Sequence, residues 1–237
     1  MKIKNVMLFC YDFPHKKTQD FIVRLLTEGY KISYVIGAPW KKLPISKSSV
    51  RLSPTHEGLI HPRKLCQAFG INYVVMDHSS PETEEFIKKN LVDLCIISGA
   101  RILPKEIIRA CSNKILNLHP GLLPQVRGLD TILWSIYFDL PLGITAHFIS
   151  PKIDKGVVIY KEKLKLNTDD TIFDVSQRLL EKQEDVLLKA IDLLKQDVKL
   201  ENIDFAKSPY NTKMDPGAEK NAMEKFPIWL KKYATVV

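Results

Sequence analysis

The chain has 237 residues, 45% of them hydrophobic and 26% charged, with a net charge of +8. That length suits one large domain or a domain with a small appendage, and such a chain can bury a substantial core. No apolar run is long enough to span a bilayer. The positive charge arrives without a zinc finger, an aromatic-rich RNA-binding signature or an arginine-rich arm, so neither membrane nor nucleic acid is expected as a partner.

The first residues, 1–10, carry a basic residue and an apolar run as a secretory leader does. The run is short, and Tyr11-Asp12-Phe13-Pro14-His15 offers no small-residue cleavage site. The segment reads as a buried first strand, hence a cytoplasmic protein. Further strands are expected at 31–36, 71–75, 93–98 and 115–117, with helices between them at 18–28, 61–68, 81–90 and 104–110. Pro62, Pro81 and Pro104 each suit a helix start, where the missing N–H costs nothing. This alternation predicts an α/β fold: a Rossmann-like, open, mostly parallel twisted sheet with helices on both faces. Such sheets bind ligands beyond the carboxyl ends of their strands. Cys10, Cys66, Cys95 and Cys111 contain no CxxC pair and read as small buried thiols, not as metal ligands or a disulfide.

A helix over 129–139 should end at Pro141. Strands over 143–150 and 157–166 follow, with Asp154 in the turn between them. Thr171 opens a long helix, with Asp174 three residues on in a capping-box pattern. Its apolar face carries Val175, Leu179, Val186, Leu187, Ile191 and Leu194. After Val198 the chain turns polar and rich in proline, asparagine and glycine, and a last short helix within 218–233 carries Phe226, Trp229 and Tyr233. The expected division is a catalytic domain over 1–198 and a short C-terminal extension over 199–237. The three aromatic residues suit either a two-fold interface or packing on their own chain.

The chemistry gathers in one window. Asn117 and His119 close a strand before Pro120-Gly121, and an i, i+2 pair on extended backbone points to one face. Alone, Asn-x-His is ordinary turn chemistry, as is Asp154-Lys155-Gly156, and His147 alone is a half-buried strand residue. Their order changes that reading. Asn117-Leu118-His119-Pro120-Gly121-Leu122-Leu123-Pro124 is followed by Arg127-Gly128, a helix with Trp134, Gly143-Ile144-Thr145-Ala146-His147 and Asp154-Lys155-Gly156.

This series resembles the folate-dependent formyltransferases, a family that includes glycinamide ribonucleotide, methionyl-tRNA and sugar N-formyltransferases. The likeness runs from about Asp93 to about Ile159 and takes in Ser98-Gly99-Ala100-Arg101-Ile102-Leu103-Pro104. The resemblance implies a catalytic trio of Asn117, His119 and Asp154. It implies a pocket for 10-formyltetrahydrofolate lined by Arg101, Ile102, Leu103, His147, Ile149 and Ile153, with no metal. The groups suit that chemistry. An amide can donate to an oxyanion, an imidazole titrates near neutrality, and a carboxylate can orient the imidazole. Direct attack of an amine through a tetrahedral intermediate then needs no serine or cysteine nucleophile.

Among acceptors, the resemblance is strongest to sugar N-formyltransferases, which act on a nucleotide-linked amino-dideoxy sugar for surface polysaccharide such as O-antigen. It places Arg127, Trp134 and Tyr210 at the substrate and implies a homodimer. The glycinamide ribonucleotide enzymes open with a glycine-rich phosphate loop, whereas residues 11–17 here contain no glycine. A tRNA enzyme is expected to carry a further RNA-contacting domain, for which the residues after Val198 are too few. Lys16, Lys17, Lys41, Lys42 and Arg51 are candidates to meet a diphosphate, although each taken singly is more often a surface residue. Asp130-Thr131 stands where the sugar enzymes often have a proline, so the sugar stays open. The alternatives are another small-amine formyltransferase and a folate- or nucleotide-binding module without activity.

Overall fold

The computed structural model describes residues 2–42, 48–52, 55–151, 156–196, 200 and 208–235. In chain order the strands and helices begin β1 (Asn5–Tyr11), α1 (Lys16–Thr27), β2 (Lys31–Ala38), α2 (Pro62–Ala68), β3 (Asn72–Val75), α3 (Pro81–Lys89), β4 (Leu94–Ile97) and α4 (Lys105–Ala110). They continue with β5 (Ile115–His119), β6 (Arg127–Gly128), α5 (Thr131–Tyr137), β7 (Gly143–Phe148), β8 (Val158–Lys163), α6 (Ile172–Lys195), β9 (Tyr210–Asn211) and α7 (Pro216–Tyr233).

Seven strands form one sheet in the order β3-β2-β1-β4-β5-β7-β8. The first five run parallel, while β7 and β8 add antiparallel at one edge. The winding reverses between β1 and β4, and that is where an open sheet leaves a crevice at its carboxyl edge. β1 is buried through its middle, as its uninterrupted apolar run requires of a central parallel strand. Val6, Leu8 and Cys10 meet Phe21, Ile22 and Leu25 of α1, in a core that also takes Val175, Leu179 and Val186 of α6. Met7 and Phe9 face Ile87 of α3 and Ile107 and Ile108 of α4 on the other side. Each such side chain contributes about 1.5–3 kcal/mol by leaving water.

Helix α6 starts as its sequence predicts. Thr171 accepts from the Asp174 N–H, and the Asp174 carboxylate accepts from the Thr171 N–H at 2.8 Å. Other boundaries shift for local reasons. β5 runs on to His119 because β7 pairs with it to its end. α5 begins late, at Thr131, since Asp130 sits at φ 48° in the left-handed region and cannot extend a helix.

The small parallel pair of β6 and β9 is absent from the sequence expectation. Through it, the chain after α6 returns to the loop that follows β5. Helix α7 then packs against α5. Of the aromatic residues offered to a two-fold interface, Trp229 is 2% exposed and donates its Nε1–H to the Leu140 carbonyl at 2.8 Å. The Tyr233 hydroxyl reaches the Asp139 carbonyl at 2.6 Å. These two rings are engaged by their own chain.

Candidate active site

β5 carries the site because its two edges are treated differently. Its pairing with β4 stops at Ile96–Leu116. Its pairing with β7 continues through Asn117–His147 and on to His119–Thr145. Asn117 and His147 are therefore directly opposed across two strands, the arrangement that brings cross-strand side chains together. The Asn117 amide donates to His147 Nε2 at 3.2 Å. His147 Nδ1 donates to the Phe148 carbonyl at 3.2 Å. With Nδ1 protonated and Nε2 accepting, the imidazole is neutral and the orientation of the Asn117 amide is set.

His119 shares its face of β5 with Asn117. Its ring lies edge-on to that of His147, with centroids 6.3 Å apart. Nε2 donates to the Val126 carbonyl at 2.9 Å, which fixes the orientation of the ring. The carbonyl is delivered by the loop after Pro120. Thr145 holds that loop from β7, donating to the Gly121 carbonyl at 2.7 Å and accepting from the Leu123 N–H at 3.0 Å. Lys161 of β8 donates to the Leu123 carbonyl. Gly121 is needed for close approach: a Cβ there would lie 2.9 Å from the Val126 oxygen and 3.0 Å from His119 Nε2. Gly121 and Thr145 lie inside the motifs of this window, but neither they nor Lys161 carry a local signal for these supporting roles.

A Cβ on Gly156 would collide with the Phe148 carbonyl oxygen at 1.5 Å. Only glycine passes there. Asp154 and Ile153, expected in the trio and the folate pocket, lie outside the described residues.

Residues 31–191 match the family described as Formyl transferase. The chain belongs to that family. It is 35% identical over 114 residues to a methionyl-tRNA formyltransferase of Fusobacterium nucleatum, a match covering 47% of this chain and 37% of the relative. A phosphoribosylglycinamide formyltransferase from Anaplasma phagocytophilum superposes with a TM-score of 0.65 at 19% identity, covering 90% of this chain and 100% of that one. A sugar N-formyltransferase from a Shewanella species superposes at 0.62 with 20% identity, covering 90% and 78%. The chain spans about half or less of the length of the curated relatives it matches, for example 37%, 56% and 16%.

Elsewhere in the chain, the predicted pocket residues separate. Arg101 and Ile102 stand where β4 exits toward α4. The Arg101 guanidinium donates to the Pro39 carbonyl at 2.7 Å, and Ile102 is 71% exposed. Leu103 turns inward and is buried in the core, where Ile149 packs against it as a half-buried neighbour. Beside them Tyr11 stacks on Phe13 with centroids 4.9 Å apart, and the Tyr11 hydroxyl donates to the Ala100 carbonyl at 3.0 Å.

Arg127, Trp134 and Tyr210 form a second group at the β6–β9 pair. Arg127 is 5% exposed, donates to the Ser208 carbonyl at 2.9 Å and lies 5.9 Å from the Tyr210 ring. Trp134 Nε1 donates to the Thr212 carbonyl at 3.0 Å. The Tyr210 side of this group is open, at 43% exposed.

Proposed function

We propose that this protein transfers a formyl group from 10-formyltetrahydrofolate to the amino group of a nucleotide-linked amino-dideoxy sugar, such as dTDP-4-amino-4,6-dideoxyglucose. The observation that carries the reading is the joint placement of Asn117 and His119 at the free carboxyl edge of β5, in a chain that belongs to the formyl transferase family. The donor would supply an activated formyl carbon whose leaving group is a folate nitrogen. Arg101 and Ile102 would hold it, one offering a cation and the other exposed apolar surface, with Leu103, Ile149 and Ile153 behind them.

The chain's own groups account for the transfer. One Asn117 amide hydrogen goes to His147, and the other is available to the formyl oxygen as negative charge develops there. The His119 imidazole takes the proton that the attacking amine must lose, while the Val126 carbonyl keeps the ring oriented. Asp154 would favour the imidazolium once that proton has moved.

Two features support a nucleotide-sugar acceptor. The stretch after β1 has no glycine to cradle phosphate and is filled by the Tyr11–Phe13 stack. The exposed Tyr210 ring, backed by Arg127 and Trp134, offers a face on which a base or sugar can stack. The likeness to sugar N-formyltransferases extends the proposal to surface polysaccharide such as O-antigen, and to a homodimer.

The test is incubation with 10-formyltetrahydrofolate and a panel of amino-sugar nucleotides beside glycinamide ribonucleotide, read by mass spectrometry for the added formyl. Formylation of the sugar nucleotides is expected. Formylation of glycinamide ribonucleotide alone would sink the sugar reading, and no transfer to any amine would leave the binding module.

A further inference from the structure

We propose that Lys17 is a positioning residue for the Asn117–His119 pair, its ammonium holding the Leu118–His119 peptide from across the carboxyl edge of the sheet. The kinetic part of this proposal rests on the formyl-transfer reading; the electrostatic part does not.

β5 loses its β4 partner after Leu116, so Asn117–His119 is laddered on the β7 side alone. The Leu118 carbonyl, in the peptide that joins the two site residues, accepts from Lys17 Nζ at 3.3 Å. The amine thus takes the place of a missing strand. It comes from the first turn of α1, on the far side of β4 in the sheet order, and its Nζ also lies over the Phe21 ring, 5.2 Å from the centroid.

That turn is a costly place for a cation. Helix N-termini favour negative charge, and α1 has no acidic residue in its first turn and no side-chain cap. Lys16 beside it is neutralised by Asp20 at 2.7 Å. No ion pair to Lys17 is seen among the described residues. Burial lowers the Lys17 amine to about 7. A lysine placed against both the helix dipole and desolvation needs a compensating partner, and the partner here is the backbone of the site.

The other groups around it are identifiable. His15, at the start of the same helix, is held neutral first by burial and then by the Lys17 charge, at about 4. On α6, which packs against α1, Glu184 lies by Asp20, Lys16 and Arg24, and is raised first by burial and then by Asp20. His119 follows the carbonyl directly, and His147 stands across on β7. Below about pH 7 the Lys17 bond to Leu118 is charge-assisted, and above it the amine is neutral and the bond weaker.

The experiment compares Lys17→Met and Lys17→Arg with the wild-type chain, by NMR titration of the His119 ring and by pH profiles of formyl transfer. Removing the cation in Lys17→Met raises the His119 titration by several tenths of a pH unit. It lowers kcat by roughly 10- to 100-fold through misplacement, with the acceptor KM unchanged. Lys17→Arg restores most of kcat and moves the alkaline limb upward, because a guanidinium does not deprotonate in that range.

The proposal is overturned by a His119 titration in Lys17→Met that superimposes on wild type. It is equally overturned by a loss confined to acceptor KM, which would make Lys17 an ordinary anion contact. Should Lys17→Met fail to fold, an unmoved alkaline limb in Lys17→Arg overturns it. A wild-type chain that formylates nothing sinks the functional reading instead, and the His119 titration then decides Lys17 alone.

Discussion

His119 and Asn117 are each held by a partner from their own chain. His147 orients the amide and the Val126 carbonyl orients the imidazole, so both groups are fixed before any substrate arrives. Asn117→Ala is expected to lower kcat by about 10²–10³-fold, the usual cost of one oxyanion donor. KM should change little, since the interaction strengthens only as charge develops. Steady-state kinetics check this, and a loss appearing wholly in KM would mean that Asn117 merely binds. Gly121→Ala tests the support behind His119. Its Cβ would press on both the Val126 oxygen and the imidazole, at 2.9 and 3.0 Å, so kcat should fall at least tenfold, while the melting temperature drops by much less than for a core truncation. A Gly121→Ala enzyme with wild-type kcat would show that the Val126 anchor is dispensable.

Between elements, polar contacts tie the site loop to the C-terminal segment, beside the apolar core that Met214, Ala222, Trp229 and Leu230 share with α5. β6 pairs with β9, and Gly128 at φ 90° admits the Asn211 carbonyl where any Cβ would collide, 2.0 Å away. The Asp130 carboxylate accepts from Lys213 and from the Met214 N–H, each at 2.8 Å. Lys213 in turn meets Glu219 of α7 at 3.3 Å, and Glu219 also accepts from Ser48 and from the Ser49 N–H. Burial alone would raise the Glu219 carboxyl. The bonds from Ser48, Ser49 and Lys213 outweigh it and hold the group at about 2 against an ordinary 4.5. A depressed carboxyl contributes fully above its unfolded value, so this stabilisation is present above about pH 4.5 and is lost as the pH falls toward 2. It amounts to roughly 2–3 kcal/mol as an order of magnitude. Glu219→Gln should therefore unfold more readily at pH 7 and show a flatter stability loss between pH 4.5 and 2 than wild type. Chemical denaturation at several pH values measures both, and parallel curves for the two proteins would remove Glu219 from the account.

At the scale of the whole molecule, what was legible in the sequence was what repeats or alternates. The apolar runs of β1 and β2, the proline-led helices α2 and α3, and the Thr171 capping box are local signals, and the parallel sheet follows from their alternation. The Asn117, His119 and His147 cluster was legible because three residues of a motif fall on two paired strands. The supports of that cluster were not legible. A backbone carbonyl such as that of Val126 carries no side-chain signature, and the β6–β9 pair joins two dipeptides far apart in the chain, too short for any periodicity. The packing of the C-terminal extension is hidden for the same reason, since its polar composition conceals the buried residues of α7. Trp229 is the decisive residue there. It packs with Phe226 and Tyr233, is 2% exposed, and spends its indole N–H on the Leu140 carbonyl at the end of α5. Trp229→Ala removes that volume and leaves the carbonyl without its donor, a change that usually costs about 3–5 kcal/mol. Because α7 also carries Glu219, loosening it should release Lys213 and Asp130 and, through β9, the loop that aims His119. Calorimetry of Trp229→Ala should thus show one transition at a lower temperature, with formyl transfer lost in the same interval. Two transitions, with α7 melting first and transfer persisting until the second, would show instead that the C-terminal helix is an independent appendage and that the site stands without it.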